Sequence, residues 1–487
     1  MTGDPPVLAR RSESALLAAC ALAFALLGLA LLGPVLDGGF FADDWELWLA
    51  APREYLARAF FETRPYENYR PLQGLLVALS QTLFGRTTLP THLVNLALHV
   101  ALAVLVTRAV LGVGVSRTGA VLAGLYVCVS QLAASAVGGN DTMSLTLGTL
   151  AGSAALFWLA PFPGVRARPG AAAAAFAVSL FAKESSLGYL PILALLMWLH
   201  FRAEPNGARK AVTWTLVLAA VAVGYLALRA QAGGTLPDVA SGEQMQVGTN
   251  VLRNLALLSV ASVIPLPTTQ VFLGAAAREW AWPIAGGLSA VAVVAFLCWG
   301  SVRAGKLPWL AAFCAAAICV LGPVLLLHHV SELYAYAVLP FVALAFGWSA
   351  GALLTRDGSR ARRVTAAAVV AFALSANAWA QHQDARGMAE SGGAAGALMT
   401  QLLDRLRSLP ADSVAVLVDP PGLPPNYSVF RVTGFLGVWL TKRQVREMTG
   451  RDDVSVRIAA TGAALPDPCP GCVFFTLDGE NRLVPMP

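Results

Sequence analysis

Long apolar runs alternate with short polar breaks along this chain, and the run lengths set the expected architecture. After Arg10 and Arg11 an apolar run extends from about Ser14 to Val35, long enough for a helix to cross a hydrocarbon core of about 30 Å. Further runs lie at about 91–112, 117–137, 142–160, 170–183, 186–201, 211–230, 282–300, 307–327, 332–353 and 364–380. Together they predict an α-helical polytopic membrane protein with about eleven transmembrane helices. Two apolar stretches are too short to cross: Leu72 to Phe84, expected at the interface, and Val251 to Pro265, expected there or as a re-entrant segment.

From about Ser391 the pattern changes. A helical period from Ala394 to Leu409 gives way to the β-rich run Val414-Ala415-Val416-Leu417-Val418, then a proline-rich turn, then short strands expected around Phe430, Val456 and Phe474. The expected division is a membrane unit over residues 1–385, with loop 37–90 outside, and a small soluble α/β domain over 391–487.

Composition agrees with this patterning: 57% hydrophobic and 13% charged residues leave too little polar surface for an ordinary soluble protein of 487 residues. The net charge of +6 does not point to nucleic acid, because the positive residues sit in short clusters between apolar runs. Arg108 with Arg117, Arg166 with Arg168, Arg202 with Arg209 and Lys210, Arg303 with Lys306, and Arg356 to Arg363 mark alternate loops as cytoplasmic. The bilayer is the implied partner. Loop 37–90 and the C-terminal domain then lie outside the cytoplasmic (inner) membrane; the Ala, Gly and Arg richness suits a high-GC bacterium, where outside is the periplasm. Five cysteines lie in apolar runs, whereas Cys469 and Cys472 form a C-x-x-C expected to be a structural disulfide if external.

The polar residues within this frame fall on one side. Asp43 and Asp44 follow the first span; Tyr69 and Arg70 come later in the same loop; Asp141, Lys183, Glu184, His329 and Glu332 occupy later external turns. His92, Asn95 and His99 share one helix face running inward, either lining a cavity or forming an inter-helix hydrogen-bond network. Lys183 and Glu184 read either as functional groups or as an internal ion pair, and Asp43/Asp44 either as catalytic acids or as a helix N-cap. Acids, a lysine and histidines gathered at one interface suit chemistry on a partly lipid substrate: a lysine for a phosphate and a carboxylate as base for a hydroxyl. Metal dependence stays open at this point, since Asp43 and Asp44 with Glu46 could hold a divalent ion through oxygen ligands; no other cofactor is indicated. Two rival readings are a lipid or solute transporter or flippase, and a non-catalytic membrane anchor presenting the C-terminal domain.

The order of these features resembles the GT-C class of integral-membrane glycosyltransferases. The resemblance rests on Phe41-Ala42-Asp43-Asp44-Trp45, on Tyr69-Arg70-Pro71-Leu72 followed by Thr91 to His99, on Ala182-Lys183-Glu184-Ser185-Ser186 leading to Leu190-Pro191, and on Glu332-Leu333-Tyr334-Ala335-Tyr336 near Leu339-Pro340. The acidic pair is similar to that of protein O-mannosyltransferases and aminoarabinose transferases, with Asp44 where those have Glu; the next two motifs look like stretches of transmembrane-and-TPR O-mannosyltransferases, although no TPR repeats follow. The resemblance implies an inverting transfer of a hexosyl or pentosyl group from a polyprenyl-phosphate sugar to a hydroxyl of a glycan, lipid or protein. Asp43 would be the base, Asp44 its partner, and Tyr69, Arg70, His92, Asn95, His99, Asp141, Lys183, Glu184, His329, Glu332 and Tyr336 would bind substrate.

Overall fold

The computed structural model describes residues 7–40, 44, 59–61, 69–85, 87–160, 167–233, 245, 247–328, 331–355, 359–420, 442–459, 470–480 and 482–486. Asp43, His329, Cys469 and the strand expected around Phe430 lie outside them.

Helices α1 (Val7–Leu36), α2 (Pro71–Phe84), α3 (Leu89–Gly112), α4 (Arg117–Cys128), α5 (Leu132–Gly138), α6 (Met143–Leu159) and α7 (Pro169–Ala182) form the first part of the bundle. A 3₁₀ turn (Glu184–Tyr189) leads into α8 (Leu190–Phe201), followed by α9 (Gly207–Gln231), α10 (Thr249–Val263), α11 (Thr268–Ala277), α12 (Ala281–Arg303) and α13 (Leu307–Leu325). A second 3₁₀ turn (Glu332–Val338) leads into α14 (Leu339–Leu353) and then α15 (Arg360–Ser408). Among the described residues, seven helices are long and apolar enough to cross a membrane, or eight if α4 and α5 count as one bent span. The remaining expected spans, α6, α7 and α8, are apolar but shorter. The chain is a polytopic helical membrane protein with a small sheet near its C-terminus.

Among the described residues, six helices carry proline at their first or second position, where its missing N–H would have no helical partner anyway. The close contact of α4 with α14 depends on small residues: a Cβ on Gly119 would lie 2.5 Å from the Gly347 carbonyl oxygen, so only glycine allows that backbone approach.

Three expectations need correction. The run 117–137 is not one straight helix but α4 and α5, bent by 56° at Val129–Gln131. The break exposes the Cys128 carbonyl, which accepts from His99 Nε2 (3.3 Å) and Gln381 Nε2 (3.1 Å), so the lost helical bonds find partners elsewhere. The spans expected from 186 and 332 each begin as a 3₁₀ turn. Finally, the last expected span and the helical period from Ala394 are one helix of 49 residues, about 73 Å at 1.5 Å per residue.

At its far end α15 covers a four-stranded sheet of order β2-β1-β3-β4, with β1 (Val414–Val418), β2 (Ser455–Ala459), β3 (Cys472–Leu477) and β4 (Leu483–Pro485). β1 runs parallel to β2 and β3, and β4 pairs antiparallel with β3; helix α16 (Lys442–Thr449) joins the layer. Leu398, Leu402 and Leu406 of α15 pack on Ala415, Leu417 and Phe475, a core separate from that of the bundle. Cys472 is disulfide-bonded, and the cysteines in the apolar runs are free thiols.

Candidate active site

The polar residues gather where α1, α2, α3, the α5–α6 turn and both 3₁₀ turns converge. Asp44 is the centre. Its side chain is 2% exposed and accepts from the Asn140 backbone N–H (2.7 Å), Asn140 Nδ2 (3.0 Å) and the Asp141 backbone N–H (3.0 Å). Burial first and the Asp141 charge second raise the Asp44 pKa, against those three donors.

Other polar groups hold the α5–α6 turn in place. Thr91 Oγ1 donates to Asn140 Oδ1, and Gln73 Nε2 donates to the Asp141 carbonyl. Asn95 Nδ2 donates to the Gly139 carbonyl (2.9 Å), while its Oδ1 accepts from Thr146 Oγ1 (3.0 Å). Each is buried, so an unpaired partner here would carry a full desolvation cost.

A charged group stands beside the turn. Arg70 binds Glu184 bidentately, Nε to Oε2 at 2.8 Å and Nη2 to Oε1 at 2.6 Å, which fixes the plane of the guanidinium. Burial opposes ionisation of Glu184, but the Arg70 charge and hydrogen bonds outweigh it and hold the carboxyl well below the usual range. Asp141 and Tyr334 also act electrostatically on Arg70. Lys183 is buried, with Nζ 5.8 Å from the centre of the Tyr334 ring. Tyr69 is fully buried; its hydroxyl donates to the Phe60 carbonyl (3.0 Å), and its own carbonyl accepts from Tyr225 (3.1 Å).

Thus Asp44, Arg70, Asp141, Lys183 and Glu184 come together, with Asn95 supporting them. Four other candidates, His99, Tyr336, His92 and Glu332, are placed differently. His99 Nε2 must carry its proton, because the Cys128 carbonyl can only accept; Nδ1 then accepts from the Tyr336 hydroxyl (2.8 Å), so His99 and Tyr336 form an inter-helix network. His92 is fully buried, and its ring nitrogens lie near the Leu36 and Gly138 backbone without hydrogen-bond geometry. Glu332 accepts from Thr269 Oγ1 (3.4 Å), with the Ser135 hydroxyl and the acidic Asp384 as neighbours. Among the described residues no three His, Cys, Asp or Glu side chains form a metal-ligand group.

Sequence reasoning does not single out Gln73, Thr91 or Asn140 as site residues. Gln73 carries a signal all the same: it is the one amide in the apolar run from Leu72 to Leu79, and buried amides in such runs need partners.

The bundle, the paired 3₁₀ turns and the polar end define a polytopic helical membrane protein. ArnT from Cupriavidus metallidurans bound to undecaprenyl phosphate is similar in structure, with a TM-score of 0.54 at 14% identity over 89% of this chain and 85% of that one. ArnT from the same organism in the apo state gives a TM-score of 0.49 at 13% identity over 92% of this chain and 86% of that one. No protein-family model and no curated protein matches the sequence.

Proposed function

We propose that this protein is an inverting glycosyltransferase that moves a sugar from a polyprenyl phosphate to a hydroxyl acceptor at the external, periplasmic face of the inner membrane. The observation that carries the proposal is the convergence of Asp44, Asp141, Arg70, Glu184 and Lys183 at one end of a bundle with the ArnT fold. ArnT was captured with undecaprenyl phosphate, and a lipid-linked phosphate is the donor class proposed for this chain. A transporter would gather its ionisable groups near the midplane, which the one-sided cluster does not favour.

Asp43 takes the proton of the acceptor hydroxyl as that oxygen bonds to the anomeric carbon; the anomeric carbon–phosphate oxygen bond breaks, and polyprenyl phosphate leaves. Asp44 is itself held by three N–H donors, which supports giving the base role to its neighbour. Lys183 faces the leaving phosphate, and Arg70, oriented by Glu184, adds positive charge beside it. The sugar is a hexose or pentose, and the acceptor a glycan, lipid or protein.

The test is transfer from a panel of radiolabelled polyprenyl-phosphate sugars in membranes carrying wild type, Asp43→Asn or Asp44→Asn. Wild type is expected to transfer from at least one donor, and Asp43→Asn to lose about 100-fold or more of that rate at normal membrane insertion. Wild-type inactivity with every donor would overturn the reading and bring the transporter forward.

A further inference from the structure

The acidic loop leaves α1 through Gly38 and Gly39, and these two glycines lie against α15. A Cβ on Gly39 would sit 2.6 Å from the Gly392 carbonyl oxygen, and a Cβ on Gly392 would sit 2.6 Å from the Gly39 carbonyl oxygen and 2.7 Å from its nitrogen. A Cβ on Gly38 would lie 3.5 Å from Ala389 Cα. These are backbone-to-backbone approaches, so no rotamer change can relieve an added methyl group. Gly393, the next residue on the same helix, has nothing within 4 Å of its Cβ position.

The glycine contact is held from other sides. Thr88 Oγ1 donates to the Gly38 carbonyl (2.7 Å), and the Gly38 N–H donates to the Val35 carbonyl (2.9 Å). Below it Leu32, Val35, Leu96, Val137 and Ala385 form a small buried core, with Met388 packed against it. His382 Nδ1 pairs with the Leu31 carbonyl at 3.0 Å. The exit of α1 is therefore fastened to the stretch of α15 between the membrane bundle and the C-terminal sheet. Asp44 follows Gly39 by only five residues and is itself bonded on its far side to Asn140 and Asp141.

We propose that Gly39 and Gly392 are positioning residues: their close approach fixes the exit of α1 five residues before Asp44, so that α15, which also carries the C-terminal sheet, governs the placement of Asp44. The catalytic consequence rests on the glycosyltransferase reading; the structural consequence does not. Gly392→Ala would widen the contact and shift the loop, whereas Gly393→Ala would add the same helix propensity and touch nothing.

The experiment compares full-length wild type, Gly392→Ala, Gly393→Ala and Thr88→Val in detergent, by amide hydrogen exchange over residues 36–44 and by kcat and KM for the polyprenyl-phosphate sugar. Gly392→Ala is expected to speed exchange in that segment about tenfold, the mark of a locally opened loop. Its kcat is expected to fall about tenfold or more with KM within about twofold, because misplacing a reacting group acts on the chemical step. Gly393→Ala is expected to match wild type in both. Thr88→Val adds no volume and is expected to loosen the same segment, which keeps the test decisive if Gly392→Ala does not fold. Wild-type exchange over 36–44 in Thr88→Val and in any folded Gly392→Ala overturns the proposal. If wild type transfers no sugar, the functional reading falls alone and the exchange measurements still decide the contact.

Discussion

The two 3₁₀ turns are built alike and used differently. Each opens with a glutamate, Glu184 or Glu332, and each ends in Leu-Pro, where an α-helix starts. The turns approach each other where Lys183 lies over the Tyr334 ring. Yet Glu184 is gripped by a guanidinium that reaches it from 114 residues away, whereas Glu332 accepts from the neutral Thr269 hydroxyl and has another acid, Asp384, nearby. The same local device therefore yields one ionised anchor and one carboxyl supported by a neutral donor. Position in the fold, and not the turn itself, assigns the chemistry.

Breaking the Arg70–Glu184 pair should give the largest effect. Arg70→Met is expected to cost about 3 kcal/mol, towards the lower end of the range for removing one partner of a buried pair, because the Glu184 side chain keeps 31% exposure. Thermal unfolding in detergent would measure it, and a loss no greater than that of Glu332→Gln would erase the contrast between the turns. The pH dependence sharpens the contrast next. The Glu184 pKa is held below its unfolded value of about 4.5, so the stability it contributes is fully present above that pH and declines as pH falls below it. The stability gap between wild type and Glu184→Gln should therefore be flat above about pH 6 and narrow towards pH 3; a gap that widened on acidification would contradict the assignment. The smallest effect belongs to the second turn: Thr269→Val removes one neutral donor to Glu332 and should cost about 0.5–1.5 kcal/mol, additive with Glu184→Gln and non-additive with Glu332→Gln in a double-mutant cycle.

Much of the bundle was legible because hydropathy registers burial in lipid directly. Every expected span but 117–137, which is the bent pair α4 and α5, corresponds to one apolar helix, and the two stretches too short to cross, Leu72 to Phe84 and Val251 to Pro265, are the short helices α2 and α10. The sequence hid what hydropathy does not encode. The stretch from Gln381 to Glu390 is polar, which predicts an end to the last span, but no proline interrupts it and α15 runs on. In the site, the gathering of Asp44, Asp141 and Lys183 on one side could be read from topology. The Arg70–Glu184 pair could not, because Lys183 is adjacent in sequence and Arg70 is distant; only the fold selects between them. Of the two readings open for the helix face of His92, Asn95 and His99, the geometry of Asn95 and His99 is that of a hydrogen-bond network.

The break between α4 and α5 also bears on the order of assembly. The Cys128 carbonyl is sealed from one side by His99, which is synthesised before it, and from the other by Gln381, 253 residues downstream. At ribosomal rates of about 5–20 residues per second, that second donor emerges roughly 10–50 s later. Through that interval one of the two donors to the Cys128 carbonyl is not yet made, and α15 supplies it. The Cys128 carbonyl is thus one backbone group whose partners are complete only once α15 is in place.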